Sequence, residues 1–200
     1  MRHKILMSLQ QLPEISSVCL GGVSEFDGSV PRTPCKHGAK AEKRGISNEY
    51  VCICTGIQRN GDAIAATINR AKPSAAELIS IFDGHIADGT LALCDGLHSY
   101  HAFPRIADCT VKDCNNRSEE NACFYNLNTV NGLHSFIKQR YVFYRGVASK
   151  YINRYNALFA AAYRNAENII RRLTDAVLAV TGIDYYHSGK DIRTVGLVAI

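Results

Sequence analysis

One local pattern constrains the fold of this 200-residue chain more than any other. Residues 50–58 (YVCICTGIQ) are dense in β-forming side chains, Asn60-Gly61 follows, and residues 62–69 (DAIAATIN) resume the run. Asn-Gly readily supplies the two positive-φ positions of a type I′ turn, whose twist matches that of paired strands. An antiparallel hairpin is therefore expected over residues 50–69. Upstream, residues 18–27 read as a short extended stretch weakened by Gly21 and Gly22. Residues 28–48, with Pro31, Pro34, Gly38 and Gly45, read as a basic loop. An amphipathic piece at 4–12 is stopped by Pro13.

Downstream of the hairpin the signals alternate. Ser74 is a good N-cap, and Glu77 stands three residues later as a capping box requires. The helix should run to Phe82, with Leu78, Ile79 and Phe82 as its apolar stripe. Residues 90–94 (TLALC) are short and wholly apolar, the pattern of a strand interior to a sheet. They end in Asp95-Gly96. A helix-like stretch at 99–106, a strand at 109–114 and a polar, turn-like segment at 115–127 follow. From Asn128 the chain reads as helical almost to Gly182, with breaks near Arg145-Gly146 and Asn165. Val130, Leu133, Ile137 and Tyr141 recur at helical spacing, as do Ile152, Tyr155, Leu158 and Phe159. This order predicts an α/β fold with helices layered on a mixed sheet.

The hydrophobic share of 46% and charged share of 20% suit an ordinary globular domain with a sizeable core. No run of eighteen apolar residues exists, so no membrane-spanning helix is expected. The short apolar piece after Met1 does not read as a secretory signal, so a cytosolic protein is expected. In that compartment eight cysteines do not imply disulfides, and no pair of CxxC knuckles suggests zinc. Cys52 and Cys54 should share one face of a strand, and Cys94 ends an apolar run, so inert buried thiols are expected. The net charge is +5. Between residues 126 and 172, Lys138, Arg140, Arg145, Lys150, Arg154, Arg164, Arg171 and Arg172 face one acid, Glu167. Lys36, His37, Lys40, Lys43 and Arg44 form a second basic cluster. Such concentration favours a polyanion partner, although a solvated helix face would account for the same charges.

Three places could carry chemistry. Asp95 follows a buried apolar strand, where ligand and metal groups gather in open α/β sheets. A carboxylate there can bind Mg²⁺, but Asp95-Gly96 could equally just turn the chain. Asn131, His134 and Lys138 share one helix face at i, i+3 and i+7. The amide and ammonium would stand about 10 Å apart along the axis, suiting a metal at one end and a phosphate at the other. A polar, solvated stripe is the competing reading. Glu25 and Asp27 would alternate onto one face of a strand, whereas an Asp27-Gly28 turn explains the same residues. Phosphate-loop, dinucleotide-fold, serine-elbow and HExxH signatures are absent, and Cys94 has no spaced His partner to make it a nucleophile.

The basic segment 36–49 with the strand that follows it resembles insertion-sequence transposases. So do residues 86–96 (IADGTLALCDG) with Ser99-Tyr100, residues 128–138 (NTVNGLHSFIK) and residues 144–151 (YRGVASKY). In combination they identify a prokaryotic transposase of the DDE superfamily, in the branch with Asp, Asp, Asn or Glu and a Lys seven residues later. The resemblance covers roughly residues 1–165. It implies a ribonuclease-H-like mixed sheet with flanking helices and a helical C-terminal part: a catalytic domain over 1–165, then a helix and tail over 166–200. It assigns Asp27, Asp95 and Asn131 as ligands of Mg²⁺ (or Mn²⁺), Lys138 to the DNA backbone, and Arg140, Arg145 and Lys150 to further DNA contacts. In such enzymes two ions about 4 Å apart activate the attacking water or 3′-hydroxyl and stabilise the leaving oxygen. Element ends and target DNA are the implied partners, a homo-oligomer is compatible, and the implied place is the nucleoid. Departures bear on activity. Gly28 stands where the family has Glu after the first acid, that strand reads as shortened, and Asn126 replaces a frequent His. Family members carry an N-terminal zinc ribbon or helix-turn-helix, which is not found here, so a truncated copy is expected. The expectation divides between metal-dependent DNA cleavage and transfer and an inactive remnant that only binds DNA. A resolvase-like nuclease of the same fold is the third alternative.

Overall fold

The expected hairpin forms, but Gly61 is not at positive φ, so its turn is not the type I′ that Asn-Gly favours; Arg59 and Asn60 stand at its centre. Gln58 N donates to Asp62 O (3.0 Å) and Gly61 N to Gln58 O (3.1 Å). The turn joins β2 (Cys52–Gln58) and β3 (Ala63–Ile68), which pair antiparallel from Ile57↔Ala63 to Cys52↔Ile68. The computed structural model describes Leu6 and residues 16–30, 51–68, 72–114, 123–144, 147 and 151–164. The amphipathic piece at 4–12 (Leu6 apart), the basic loop at 31–48, most of the polar stretch at 115–122, Arg145, Gly146, Lys150 and the tail from Asn165 lie outside the described residues.

β1 (Val23–Ser29) pairs antiparallel with β2 and parallel with β4 (Thr90–Cys94), which pairs parallel with β5 (Cys109–Asp113). The result is a mixed five-stranded sheet in the order β3-β2-β1-β4-β5. β1 has seven residues, as many as β2. It runs straight through Asp27-Gly28, so the competing turn at that dipeptide does not form. Pairing on both edges of β1 outweighs the local turn preference of Asp-Gly. β4 is interior, as its apolar sequence predicts.

Strand alternation sorts side chains onto two cores. Phe26, Cys52, Cys54, Ile64, Ala66, Ala92 and Cys94 pack on one face against α1 (Ala75–Phe82) and a 3-10 helix, His98–Arg105. Burial pushes the Cys94 thiol well above its ordinary range, as an inert core thiol requires. Ile53, Ile57, Ala63 and Ala65 pack on the other face against α2 (Asn128–Phe143) and α3 (Ile152–Arg164). Both halves of the Ser74–Glu77 capping box form, at 3.3 Å and 2.9 Å. α1 buries Leu78, Ile81 and Phe82, with Ile81 in the place expected for Ile79, because i, i+3, i+4 spacing keeps one face inward. Pro104 lies inside the 99–106 stretch, which winds as a 3-10 helix, and Tyr100 and Phe103 enter the core from it. Val130, Leu133, Ile137 and Tyr141 of α2 are buried as their spacing predicts.

β3 is an edge strand, and α3 covers it. Asn153 Oδ1 accepts from Thr67 N (2.7 Å), Asn156 Nδ2 donates to Thr67 Oγ1 (2.8 Å), and the Tyr141 hydroxyl donates to Asn156 Oδ1 (2.6 Å). A buried N–H left without its acceptor costs about 1–3 kcal/mol. Asn153→Ala is therefore expected to lower stability by about that amount in urea denaturation. A change below a few tenths would show that the edge needs no such cover.

Candidate active site

The register Phe26↔Cys94 places the following residues, Asp27 and Asp95, side by side on neighbouring parallel strands. Phe26 and Cys94 point into the α1-side core, so alternation turns Asp27 to the face covered by α2. Gly96, at φ 81°, turns the chain away just after Asp95. Asp95 Oδ1 accepts from Leu97 N (3.0 Å), so the turn and a positioned carboxylate coexist.

The two carboxyl groups are near enough for the Asp95 charge to act on Asp27. Burial pushes the Asp27 carboxyl up to about 6, and the Asp95 charge adds to the rise. The Gly28 N–H, donating to Asp27 Oδ1 at 2.7 Å, and the Lys138 charge oppose it. Paired carboxylates in a desolvated place repel unless a proton or a cation stands between them. The pair therefore fits a divalent cation held by few hard oxygens, with water and substrate phosphate completing its shell. Among the described residues, no three His, Cys, Asp or Glu side chains form a ready-made metal cluster.

α2 is positioned over this pair by a residue from the sheet. Its N-cap, Leu127, offers no side-chain cap. Glu25 Oε2 instead accepts from Val130 N (2.9 Å) in the first turn, and Glu25 Oε1 pairs with Arg59 Nε at 2.7 Å. Arg59 Nη2 donates to the carbonyls of Phe124 (2.6 Å) and Asn126 (3.0 Å), while Asn126 Oδ1 accepts from Asn128 N (3.1 Å). One fully buried carboxylate, two residues before Asp27, thus ties β1 and β2 to the start of the helix that carries Asn131, His134 and Lys138.

Along α2, His134 is 5% exposed, and its Nδ1 lies 3.6 Å from Asp27 Oδ2. Its Nε2 meets Thr55 Oγ1 at 2.5 Å, and the Thr55 hydroxyl donates to the Asp27 carbonyl (3.0 Å). Burial, then the Lys138 charge, lowers the imidazole to about 4, so it is neutral near pH 7. Lys138 is exposed, and its charge reaches both Asp27 and His134. Asn131 is exposed on the same helix, and no described hydrogen bond links its amide to either carboxylate. Arg140 is exposed, with its guanidinium 4.7 Å over the Phe136 ring. Arg145 and Lys150 lie outside the described residues. The structure therefore brings Asp27, Asp95, His134 and Lys138 together and leaves Asn131 beside them without a direct tie. Arg59 and Thr55 were not legible as site residues, since their partners are distant in sequence. The alternation of Glu25 with Asp27 was the available signal for Glu25.

Among the described residues, no helix is long and apolar enough to cross a membrane. Compared with known proteins, the chain matches no family model and no curated sequence.

Proposed function

We propose that this chain is a transposase catalytic domain that uses a divalent cation to cut and join DNA. The observation that carries the reading is the register that puts Asp27 and Asp95 side by side after Phe26 and Cys94 on adjacent parallel strands. Three antiparallel strands followed by two that run parallel to β1, in the order β3-β2-β1-β4-β5, support a ribonuclease-H-like core. Asp27 and Asp95 would hold the cation, and Asn131, on the same helix as His134 and Lys138, would be a further oxygen donor. A bound divalent ion supplies Lewis acidity toward the phosphodiester and lowers the pKa of an attacking water or 3′-hydroxyl. Lys138 contributes a point charge that holds a backbone phosphate beside the pair. Arg140, with Arg145 and Lys150, would extend the DNA contact, placing the protein on the nucleoid and at element ends.

A second reading is a remnant that binds DNA without cutting it, which the exposed Lys138 and Arg140 of α2 would serve equally. The two separate in one experiment. Purified protein with a labelled element end and Mg²⁺ or Mn²⁺ is expected to yield nicked product with a 3′-hydroxyl, and Asp95→Ala should abolish it. Salt-dependent, sequence-indifferent binding without any nick would select the remnant. Neither binding nor nicking would sink both.

A further inference from the structure

We propose that Val142 and Phe143, at the end of α2, form an apolar wedge that engages unstacked nucleobases of DNA about three to four nucleotides from the bond to be cut. The proposal rests on DNA as the substrate of the Asp27–Asp95 pair and deepens that reading: it makes opened DNA the preferred substrate over closed duplex.

Val142 is 77% exposed and Phe143 76%, the highest exposures of any large apolar side chain among the described residues. Both stand on a helix whose other face is buried on the sheet. Asn131, Ser135, Lys138 and Val142 are all exposed, and their spacing of i, i+4, i+7 and i+11 puts them on one stripe. His134, at the edge of that stripe, reaches Asp27 at 3.6 Å. Val142 lies beyond His134 by about 12 Å along the axis, at ~1.5 Å per residue. A DNA strand rises about 3.4 Å per nucleotide, which gives the separation of about three to four nucleotides.

Each apolar tip has a cation one turn behind it. Lys138 precedes Val142 at i, i+4 and Arg140 precedes Phe143 at i, i+3, the spacings of neighbours on a helix surface. The Arg140 guanidinium is seated 4.7 Å over the Phe136 ring. Phe143 is braced as well. Its ring meets Tyr144 edge-on at 5.7 Å, and Tyr144 packs on Tyr155 (5.2 Å) and Phe159 (5.9 Å) of α3. A ring fixed in this way loses little freedom on binding. Cations that grip phosphate, beside apolar side chains that reach a base, are the combination by which proteins hold opened DNA.

Charge decides the occupant. No Asp or Glu occurs between residues 121 and 166. A two-fold contact with a second copy would set Lys138 and Arg140 against their own equivalents, and like charges brought together oppose binding. A membrane surface takes up a helix by its broad apolar face, and that face of α2 is already buried in the core. A polyanion whose bases offer apolar faces matches both the cations and the tips.

The test uses the full chain and two oligonucleotides: a closed duplex, and the same duplex with a short bubble of unpaired thymines. Fluorescence anisotropy is expected to show the bubble bound at least about fivefold more tightly than the duplex. Phe143→Ala should remove that preference and leave duplex affinity within about twofold, since phosphate contacts do not depend on base exposure. Phe143→Trp should keep the preference. The bubble thymines should be shielded from permanganate by the parent chain and not by Phe143→Ala. Phe143 lies largely outside the core, so neither variant endangers the fold. Equal binding of the two DNAs by the parent, or a preference that Phe143→Ala leaves intact, overturns the wedge and leaves DNA as the substrate. A dimer that Phe143→Ala dissolves in sedimentation, with DNA binding unchanged, assigns the patch to a second copy and overturns the wedge too. Binding of neither DNA overturns the wedge and the DNA reading together.

Discussion

Glu25→Ala is expected to lower the stability of the protein by about 3–5 kcal/mol, the cost of breaking a buried ion pair at one partner. Glu25 is fully buried and has two ties, to Arg59 Nε at 2.7 Å and to Val130 N at 2.9 Å. Its removal leaves the Arg59 guanidinium, only 21% exposed, with its two carbonyl partners and no counter-charge. It also uncaps α2, which has no local side-chain cap to fall back on. Urea denaturation would read the loss. Glu25→Gln keeps an oxygen acceptor for Val130 N and should cost less, so the two variants separate the cap from the charge. A Glu25→Ala loss below about 1 kcal/mol, the range of surface pairs, would show that the pair does not fasten the helix.

Asp27→Asn is expected to do the opposite, stabilising the metal-free protein by about 2–3 kcal/mol at pH 8. The Asp27 carboxyl rises from its ordinary 3.8 to about 6 in the fold, burial being the main cause. A folded value above the unfolded one means that its contribution to stability is full below 3.8 and is lost as pH climbs through about 6. Asparagine does not ionise and escapes that loss. The gain should therefore shrink as pH falls and vanish by about pH 3. The side chain is 18% exposed, so solvent screening removes only part of the effect. His134 works in the other direction. Lowered from 6.5 to about 4, it adds stability above 6.5 that is lost as pH falls through about 4. Comparing Asp27→Asn with the parent at each pH cancels most of the His134 contribution. Mn²⁺ should then stabilise the parent and not the variant, because a ligand raises stability only where it binds the folded state. Equal melting temperatures for the two at pH 8 without metal would refute the strained carboxylate pair.

The features legible in the sequence are those whose causes are local. Two β-rich runs flanking Asn60-Gly61 signal a hairpin, and the β2–β3 hairpin forms, although Gly61 does not take the positive φ that Asn-Gly favours. Ser74 and Glu77 are within reach of each other in any helix that starts there, and the capping box forms. The apolar run TLALC predicts an interior strand because burial on both faces demands it, and β4 is interior. Val130, Leu133, Ile137 and Tyr141 face the sheet because helical spacing puts them on one stripe. Asp95 could be singled out by its place after such a strand.

The rest depends on partners that sequence distance hides. Asp27-Gly28 is a turn signal by local chemistry, and only pairing of β1 with β2 on one side and β4 on the other keeps it extended. The cap of α2 comes from Glu25, 105 residues away from the N–H that it accepts. His134 reads in the sequence as one member of a polar stripe; its ring meets Thr55, on a strand 79 residues earlier. The sequence alone determined the elements, their order and one carboxylate at a strand end. Tertiary structure decided that a second carboxylate stands beside it, and that the helix above brings the His134 imidazole to that second carboxylate. The reason is physical: propensity and capping act over one turn of chain, whereas desolvation, charge pairing and proton placement act only between groups that folding has brought within a few ångströms.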